Sequence, residues 1–253
     1  MAKILDEQSV AQILTAALLA GRLSPGLRLG EQQVADVFGV SRERIRKVLQ
    51  RLGHQRLIDI HPNRGAFIAQ PGFREAREVY QARRILETGV VTHLAMSISD
   101  LQLGVLFRHC ELEATANVAH DHAEVVRLSG LFHIHLAEMT GNEFIIRHLR
   151  ELVSRTAMLV AYHETGSPQC GCTEHSAVLA AISDRDAERA GREMRTHLSL
   201  IETRLQEPAV RPATSDLSGV LREEIQRWRF PPQPAHASAH EQGDHKMLRG
   251  ASG

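Results

Sequence analysis

Phe38-Gly39-Val40-Ser41-Arg42-Glu43-Arg44-Ile45-Arg46-Lys47-Val48-Leu49-Gln50-Arg51-Leu52 is the stretch that decides the fold. Gly39 punctuates one short amphipathic segment, and Ser41 offers an N-cap oxygen to the next helix. After that cap Ile45, Val48, Leu49 and Leu52 recur at i, i+3, i+4 and i+7, a single apolar stripe. Arg42, Arg46 and Gln50 line one flank of the stripe, and Arg44, Lys47 and Arg51 line the other. The preceding segment, Glu31 to Phe38, turns Val34, Val37 and Phe38 inward. A helix, a tight glycine turn and a cationic helix read as a helix-turn-helix whose second helix enters a DNA major groove. Ser41, Arg42, Arg44 and Arg46 on that helix, with Gln32 on the one before it, are the candidate DNA contacts.

An arginine-rich helix taken alone is most often a solvated face, so its neighbours along the chain matter. Leu57-Ile58-Asp59-Ile60 and Ala66-Phe67-Ile68-Ala69 are short β-prone runs around Pro62-Asn63-Arg64-Gly65, the pattern of a hairpin. Arg64 and Gly65 sit at its tip and join the candidate DNA contacts. Helix-turn-helix plus basic-tipped hairpin is a winged helix.

The chain has 253 residues, room for two modest domains, and 43% hydrophobic residues give it material for a real core. Its formal net charge is zero, an average that hides an uneven distribution. Residues 1–70 hold ten Lys/Arg against six Asp/Glu, so about +4, and the remainder must balance them. No stretch approaches the ~20 apolar residues of a membrane span. The first residues run directly into an amphipathic helix, so no charged-then-apolar leader is expected. Three scattered cysteines suit a reducing compartment, and the expected location is the cytoplasm. Cys170-Gly171-Cys172 reads as loop decoration rather than a soft-metal pair.

Outward from the winged helix, Leu5–Leu19 is the first helix, broken at Ser24-Pro25-Gly26. Pro71-Gly72 ends an N-terminal domain of residues 1–70. From about Glu75 the apolar periodicity is helical throughout, with segments at 75–94, 101–117, 121–139, 143–163, 173–182 and 187–205. Their lengths and loops suit an all-α antiparallel bundle over residues 73–206, so the expected fold is mainly α. Residues 207–253 are a C-terminal extension in which Ser215-Asp216 caps one further helix to Trp228. Beyond Pro231-Pro232 a Pro, Ala, Ser, Gly and His-rich tail is expected to be disordered.

Fifteen histidines are many, and most are incidental. His133, His175 and His197 differ, each lying in the apolar face of a separate bundle helix. A lone core histidine is usually satisfied by a hydrogen bond. Three of them on three helices make a candidate site for zinc, nickel or a similar divalent metal, with a coordination position left open. Neutral imidazoles are needed, so metal is expected to be lost as pH falls through and below ~6.5. Arg83 or Arg84 is a candidate for a bidentate grip on an anionic effector, and the other reading of Arg83 is an i, i+4 pair with Glu87.

Residues 8–70 resemble the DNA-binding domain of the GntR family of bacterial transcriptional regulators. The resemblance rests on Gly26-Leu27-Arg28-Leu29-Gly30-Glu31, Val40-Ser41-Arg42, Ile45-Arg46, Leu49-Gln50-Arg51-Leu52 and Asn63-Arg64-Gly65-Ala66-Phe67. Glu43-Arg44 and Lys47-Val48 stand where the family usually has Thr-Pro and Glu-Ala, which bears on the operator sequence. Residues 76–206 resemble the FCD ligand-binding domain of the FadR branch, through Arg83-Arg84-Ile85-Leu86-Glu87, Phe132-His133, Glu174-His175 and Met194 with His197-Leu198. The resemblance implies a homodimer on a palindromic operator, with repression relieved by a small organic acid or related metabolite. It also implies a metal held by the three histidines and an Asp four residues before the first, a place taken here by Ser129. The site is then three-coordinate from protein, or binds metal more weakly, or binds its effector without metal; Ser129 is expected to face the effector cavity. Two rival readings are a metal-dependent hydrolase using the same histidines, with Glu174 as base, and an architectural DNA-binding protein without an effector.

Overall fold

The computed structural model describes residues 5–164, 171–205 and 214–229. Asp6 caps α1 (Glu7–Leu19), accepting from the Ser9 amide at 2.8 Å. α2 (Glu31–Phe38) stops at Gly39, whose left-handed backbone (φ 66°, ψ 36°) turns the chain within one residue. Ser41 then caps α3 (Arg42–His54) as its side chain accepts from the Arg44 amide. The apolar stripe is fully inside: Ile45, Val48, Leu49 and Leu52 are all buried.

The hairpin forms from β2 (Ile58–His61) and β3 (Gly65–Ile68), antiparallel, with Asn63 and Gly65 in the positive-φ region at the turn. A third strand completes the wing, since β1 (Arg28–Leu29) pairs with the far edge of β3 to give the order β1-β3-β2. Two residues are too few to show an alternating pattern, so no sequence signal announced it.

The helices of the second domain are α4 (Phe73–Ser97), α5 (Asp100–Val118), α6 (His122–Met139), α7 (Glu143–His163), α8 (Cys172–Ser183) and α9 (Ala187–Arg204). A reciprocal capping box at Ser99 and Gln102 starts α5, and Asn142 accepts from two amides to start α7. They share one apolar core that runs from Tyr80 and Leu94 through Phe132 and Leu159 to Met194 and Leu198.

The last described helix, α10 (Leu217–Arg229), does not extend the bundle. Its Leu217, Val220, Leu221 and Ile225 enter the core of the N-terminal domain against α1 and α2. Gln33 of α2 donates to the Ser218 hydroxyl at 3.1 Å, and Arg22 pairs with Glu223 and Glu224. The winged helix is therefore built from both ends of the chain. Cys170 and the tail histidines lie outside the described residues.

α7 belongs to both halves. Met158, Ala161 and Tyr162 pack into the core of the winged-helix domain, while Leu149 and Leu159 pack into the bundle. Ion pairs flank this seam: Arg155 donates to Glu75 at 2.5 Å and to the Arg56 carbonyl at 3.0 Å, and Arg56 donates to Glu151 at 3.0 Å.

Candidate DNA-binding face and histidine centre

The candidate DNA contacts lie on α2, α3 and the tip of the β2–β3 hairpin. Arg42 and Arg46 are one turn apart on the solvent face of α3 and converge on the Glu31 carboxylate. Gln32 is exposed and donates to Asp36 at 2.7 Å. Arg44, the candidate contact on the other flank of the stripe, donates to the Leu5 carbonyl at 3.1 Å. That flank explains this, because α3 carries Arg44 toward the start of α1. Arg64 is exposed at the wing tip, next to Gly65 (φ 100°).

In the bundle, α6, α8 and α9 deliver His133, His175 and His197 to one buried point. The Nε2 atoms of His175 and His197 are 3.1 Å apart, and those of His197 and His133 are 3.2 Å apart. The edge between two ligands ~2.0–2.1 Å from a tetrahedral ion is about 3.3 Å, so the spacing fits a metal. Phe132 stacks on the His175 ring at 4.0 Å between centroids and fixes its plane.

Two carboxylates stand behind the histidines. Glu87 lies 2.5 Å from His133 Nδ1, and Glu113 lies 2.9 Å from His175 Nδ1. An Nδ1–H donated to each carboxylate turns the Nε2 lone pairs of His133 and His175 inward, the usual support of a metal-binding imidazole. The three Nε2 atoms then share at most one proton, on His197, which satisfies only one neighbour. His197 Nδ1 is itself buried without a hydrogen-bond partner among the described residues. A buried polar cluster in that state is costly, and a cation among the three lone pairs relieves it. The donor set therefore fits a divalent metal, which would supply Lewis acidity and an open position for an anionic ligand.

Burial sets the protonation of this centre. It pushes His133 down to about 4 and His175 down to about 3, and holds His197 well below the usual range. Burial likewise pushes Glu113 up to about 7. Glu87 is the contrast: burial works to raise it, but the Arg83 guanidinium and His133 outweigh burial and hold it at about 2.

Arg83 satisfies one of its two sequence readings outright, donating Nε to Glu87 at 2.6 Å within the core. Its Nη2 is buried without a hydrogen-bond partner among the described residues. Arg83 also lines a cavity together with Ser129, His133, Thr156, Glu164 and Arg204. The far wall is apolar and includes Val153, Ala157 and Val160 of α7, the helix that also packs on the winged domain. Ser129 thus faces the same cavity as His133.

Glu113 is missing from the residues singled out along the chain, and Glu87 enters there as a partner of Arg83 and within the FCD-like stretch, with no role at the histidines. A signal for Glu113 existed. Leu103, Leu106, Cys110 and Glu113 recur at helical spacing, which puts a carboxylate on the buried face of α5.

A winged helix joined to a helical bundle, with a largely apolar cavity into which Arg83, Ser129 and His133 face, defines a ligand-responsive DNA-binding regulator. Two family profiles match the chain: "Bacterial regulatory proteins, gntR family" over residues 6–68 and the FCD domain over residues 78–200. The protein belongs to the GntR family of transcriptional regulators and carries an FCD effector-binding domain. It is similar to the HTH-type transcriptional repressor RspR of Escherichia coli K12, 24% identical over 83% of this chain and 92% of that protein. It is also similar to the HTH-type transcriptional repressor NanR of Klebsiella aerogenes, 26% identical over 77% and 83% of the two chains. Among solved structures, a GntR regulator from Rhodococcus sp. RHA1 superposes with a TM-score of 0.67 at 25% identity, covering 78% of this chain and 95% of that one. The family's members are regulators of transcription, so the hydrolase reading has no support. Among the described residues no helix is long and apolar enough to cross a membrane.

Proposed function

We propose that this regulator is a cytoplasmic homodimeric repressor that reads a palindromic operator and releases it on binding a small carboxylate. Arg42 and Arg46, with Ser41 and Gln32 beside them, contact the major groove, and Arg64 with Gly65 follows the adjacent backbone. The carboxylate enters the cavity beside His133, where the Arg83 Nη2 has no hydrogen-bond partner among the described residues and Ser129 adds a hydroxyl. A divalent metal such as zinc or nickel, held by His133, His175 and His197, completes the receptor. Ser129 in place of a carboxylate leaves only neutral protein ligands, which favours an anion at the open position.

The observation that carries this reading is the convergence of three buried imidazoles, of which His133 lines a cavity walled by α7, the helix that also packs on the winged domain. α7 gives the effector a route to the DNA-binding face, because its other side packs against that domain. Couplings of ~1–3 kcal/mol change operator occupancy several-fold or more. A second copy has a candidate surface in exposed Leu101, Val105 and Leu112, which share one face of α5.

The test is to select an operator from randomised duplexes with the full-length protein, then screen small carboxylates for its release, with and without a chelator. Release by a carboxylate that fails after chelation supports the reading. Release unaffected by chelation would remove the metal from it, and no response to any carboxylate would remove the effector class.

A further inference from the structure

We propose that Glu31, at the first turn of α2, is a positioning residue that sets Arg46 and Arg42 for base reading and so determines sequence discrimination. The inference rests on α3 being the recognition helix. The Glu31 carboxylate takes Arg46 as a bidentate pair, Nε to Oε1 at 2.9 Å and Nη2 to Oε2 at 2.9 Å. Oε2 also accepts from Arg42 Nη2 at 3.1 Å. One carboxylate thus clamps two guanidiniums from successive turns of the neighbouring helix.

The edges used matter. Arg46 spends its side edge, Nε with Nη2, on Glu31. What remains is the end edge, Nη1 with the outer hydrogen of Nη2, a two-pronged donor that matches the O6 and N7 acceptors of guanine. Arg42 spends a single N–H and keeps the rest. Both arginine side chains stay more than half exposed, at 57% and 56%, while Glu31 beneath them is 28% exposed. The clamp sits behind the reading heads and leaves them presented.

The clamp has two effects. An arginine already fixed in one rotamer loses less freedom when it meets a base, which favours the cognate sequence. The carboxylate also cancels one of two adjacent cationic charges, and this lowers attraction to phosphate in any sequence. Glu31 therefore raises specific binding and lowers non-specific binding. Hydrogen bonds from Arg46 and Arg42 hold its carboxyl down to about 2, so it is ionised at every pH at which DNA binding is measured. A carboxylate that merely pinned α2 to α3 would instead affect all DNA alike.

The experiment compares full-length parent, Glu31→Gln, Glu31→Asp and Arg46→Ala on a duplex selected by the parent and on a scrambled duplex of the same length. Glu31→Gln is expected to lower affinity for the selected duplex about 5- to 160-fold, the range of one lost bidentate base contact. It should leave the scrambled duplex bound as well or better, with a steeper dependence on salt. Glu31→Asp keeps the charge on a shorter stem, so it should lose discrimination while keeping the parent's salt slope. An equal fall on both duplexes, or no change on either, overturns the inference while leaving the recognition helix standing. Arg46→Ala binding the selected duplex as tightly as the parent would remove the recognition-helix reading itself. Thermal melts establish that each variant is folded, and Glu31→Asp carries the test alone if Glu31→Gln is not.

Discussion

Gly21 lies directly against the main chain of Ala161, so close that a Cβ on Gly21 would overlap the Ala161 carbonyl oxygen. The contact joins the end of α1 to α7, the winged domain to the sensor. Gly21 also has φ +64°, a conformation that L side chains rarely adopt. Gly21→Ala is therefore expected to cost about 1–3 kcal/mol of stability, from strain plus overlap. Gly39→Ala is the control, since Gly39 has a similar φ of +66° and nothing within 4 Å of its Cβ position. Denaturation midpoints should place Gly21→Ala clearly below Gly39→Ala; equal midpoints would show that the packing against α7 contributes nothing.

Removing α10 is predicted to unsettle the DNA-binding domain rather than the bundle. Leu217, Val220, Leu221 and Ile225 are all buried in the winged-helix core. Burial of such side chains stabilises by ~1.5–3 kcal/mol each, an upper bound once chain entropy is counted. A chain ending before Ser215 should lose protection of α1 and α2 amides in hydrogen exchange, whereas one ending at Arg229 should match the full-length protein. Undiminished protection in the shorter chain would contradict the packing.

On DNA, Arg46→Ala should cost ~1–3 kcal/mol at the selected operator and relax its sequence preference. Arg64→Ala should act differently, weakening all sequences alike and reducing the salt slope by about one phosphate contact. Fluorescence anisotropy across a salt series separates the two. Identical behaviour of the two variants would assign both arginines the same kind of contact and sink the distinction between helix and wing.

For the metal, elemental analysis of untagged protein ending before Pro231 should find about one divalent ion per chain, and His175→Ala should lose it. Glu113→Gln, which removes the carboxylate behind His175, should weaken metal binding ~10- to 100-fold without unfolding the bundle. Metal at a hundredfold excess over its Kd adds ~2.7 kcal/mol of stability. Equal metal content in the parent and His175→Ala would remove the metal site and leave the three histidines as core residues or direct effector contacts.

Acid should destabilise the chelated protein, and the sign comes from the buried imidazoles. His133 falls to about 4 and His175 to about 3 against 6.5 for an unburied imidazole, so the unfolded chain takes up protons first. Their contribution is complete above pH 6.5 and is lost as pH falls toward 4. Glu113, raised from 4.5 to about 7, works in the opposite direction between those values, but it offsets only one of three histidines. The urea midpoint should therefore fall between about pH 7 and pH 5. A rising midpoint would contradict the neutral cluster. The same depression means protons compete with metal at lower pH than the ordinary imidazole value of ~6.5 suggests.

The features legible along the chain are local and periodic. The apolar stripe of Ile45, Val48, Leu49 and Leu52, the caps at Ser41 and Asp6 and the glycine at position 39 each act within one or two turns. Periodicity therefore placed α3, the hairpin and the bundle helices to within a few residues. The three histidines were legible for the same reason, as polar residues on otherwise apolar faces. Features that depend on distant segments meeting exist only in the folded chain. Nothing local says that α10 returns to the winged domain, that β1 pairs with β3, or that Arg44 faces Leu5 while Arg42 and Arg46 share Glu31. Glu113 sits 62 residues from His175 in sequence and 2.9 Å from it in space. Burial supplies the remaining physics: the low imidazole values and the Arg83 Nη2 left without a hydrogen-bond partner among the described residues exist only because the packed bundle excludes the water that would otherwise solvate them.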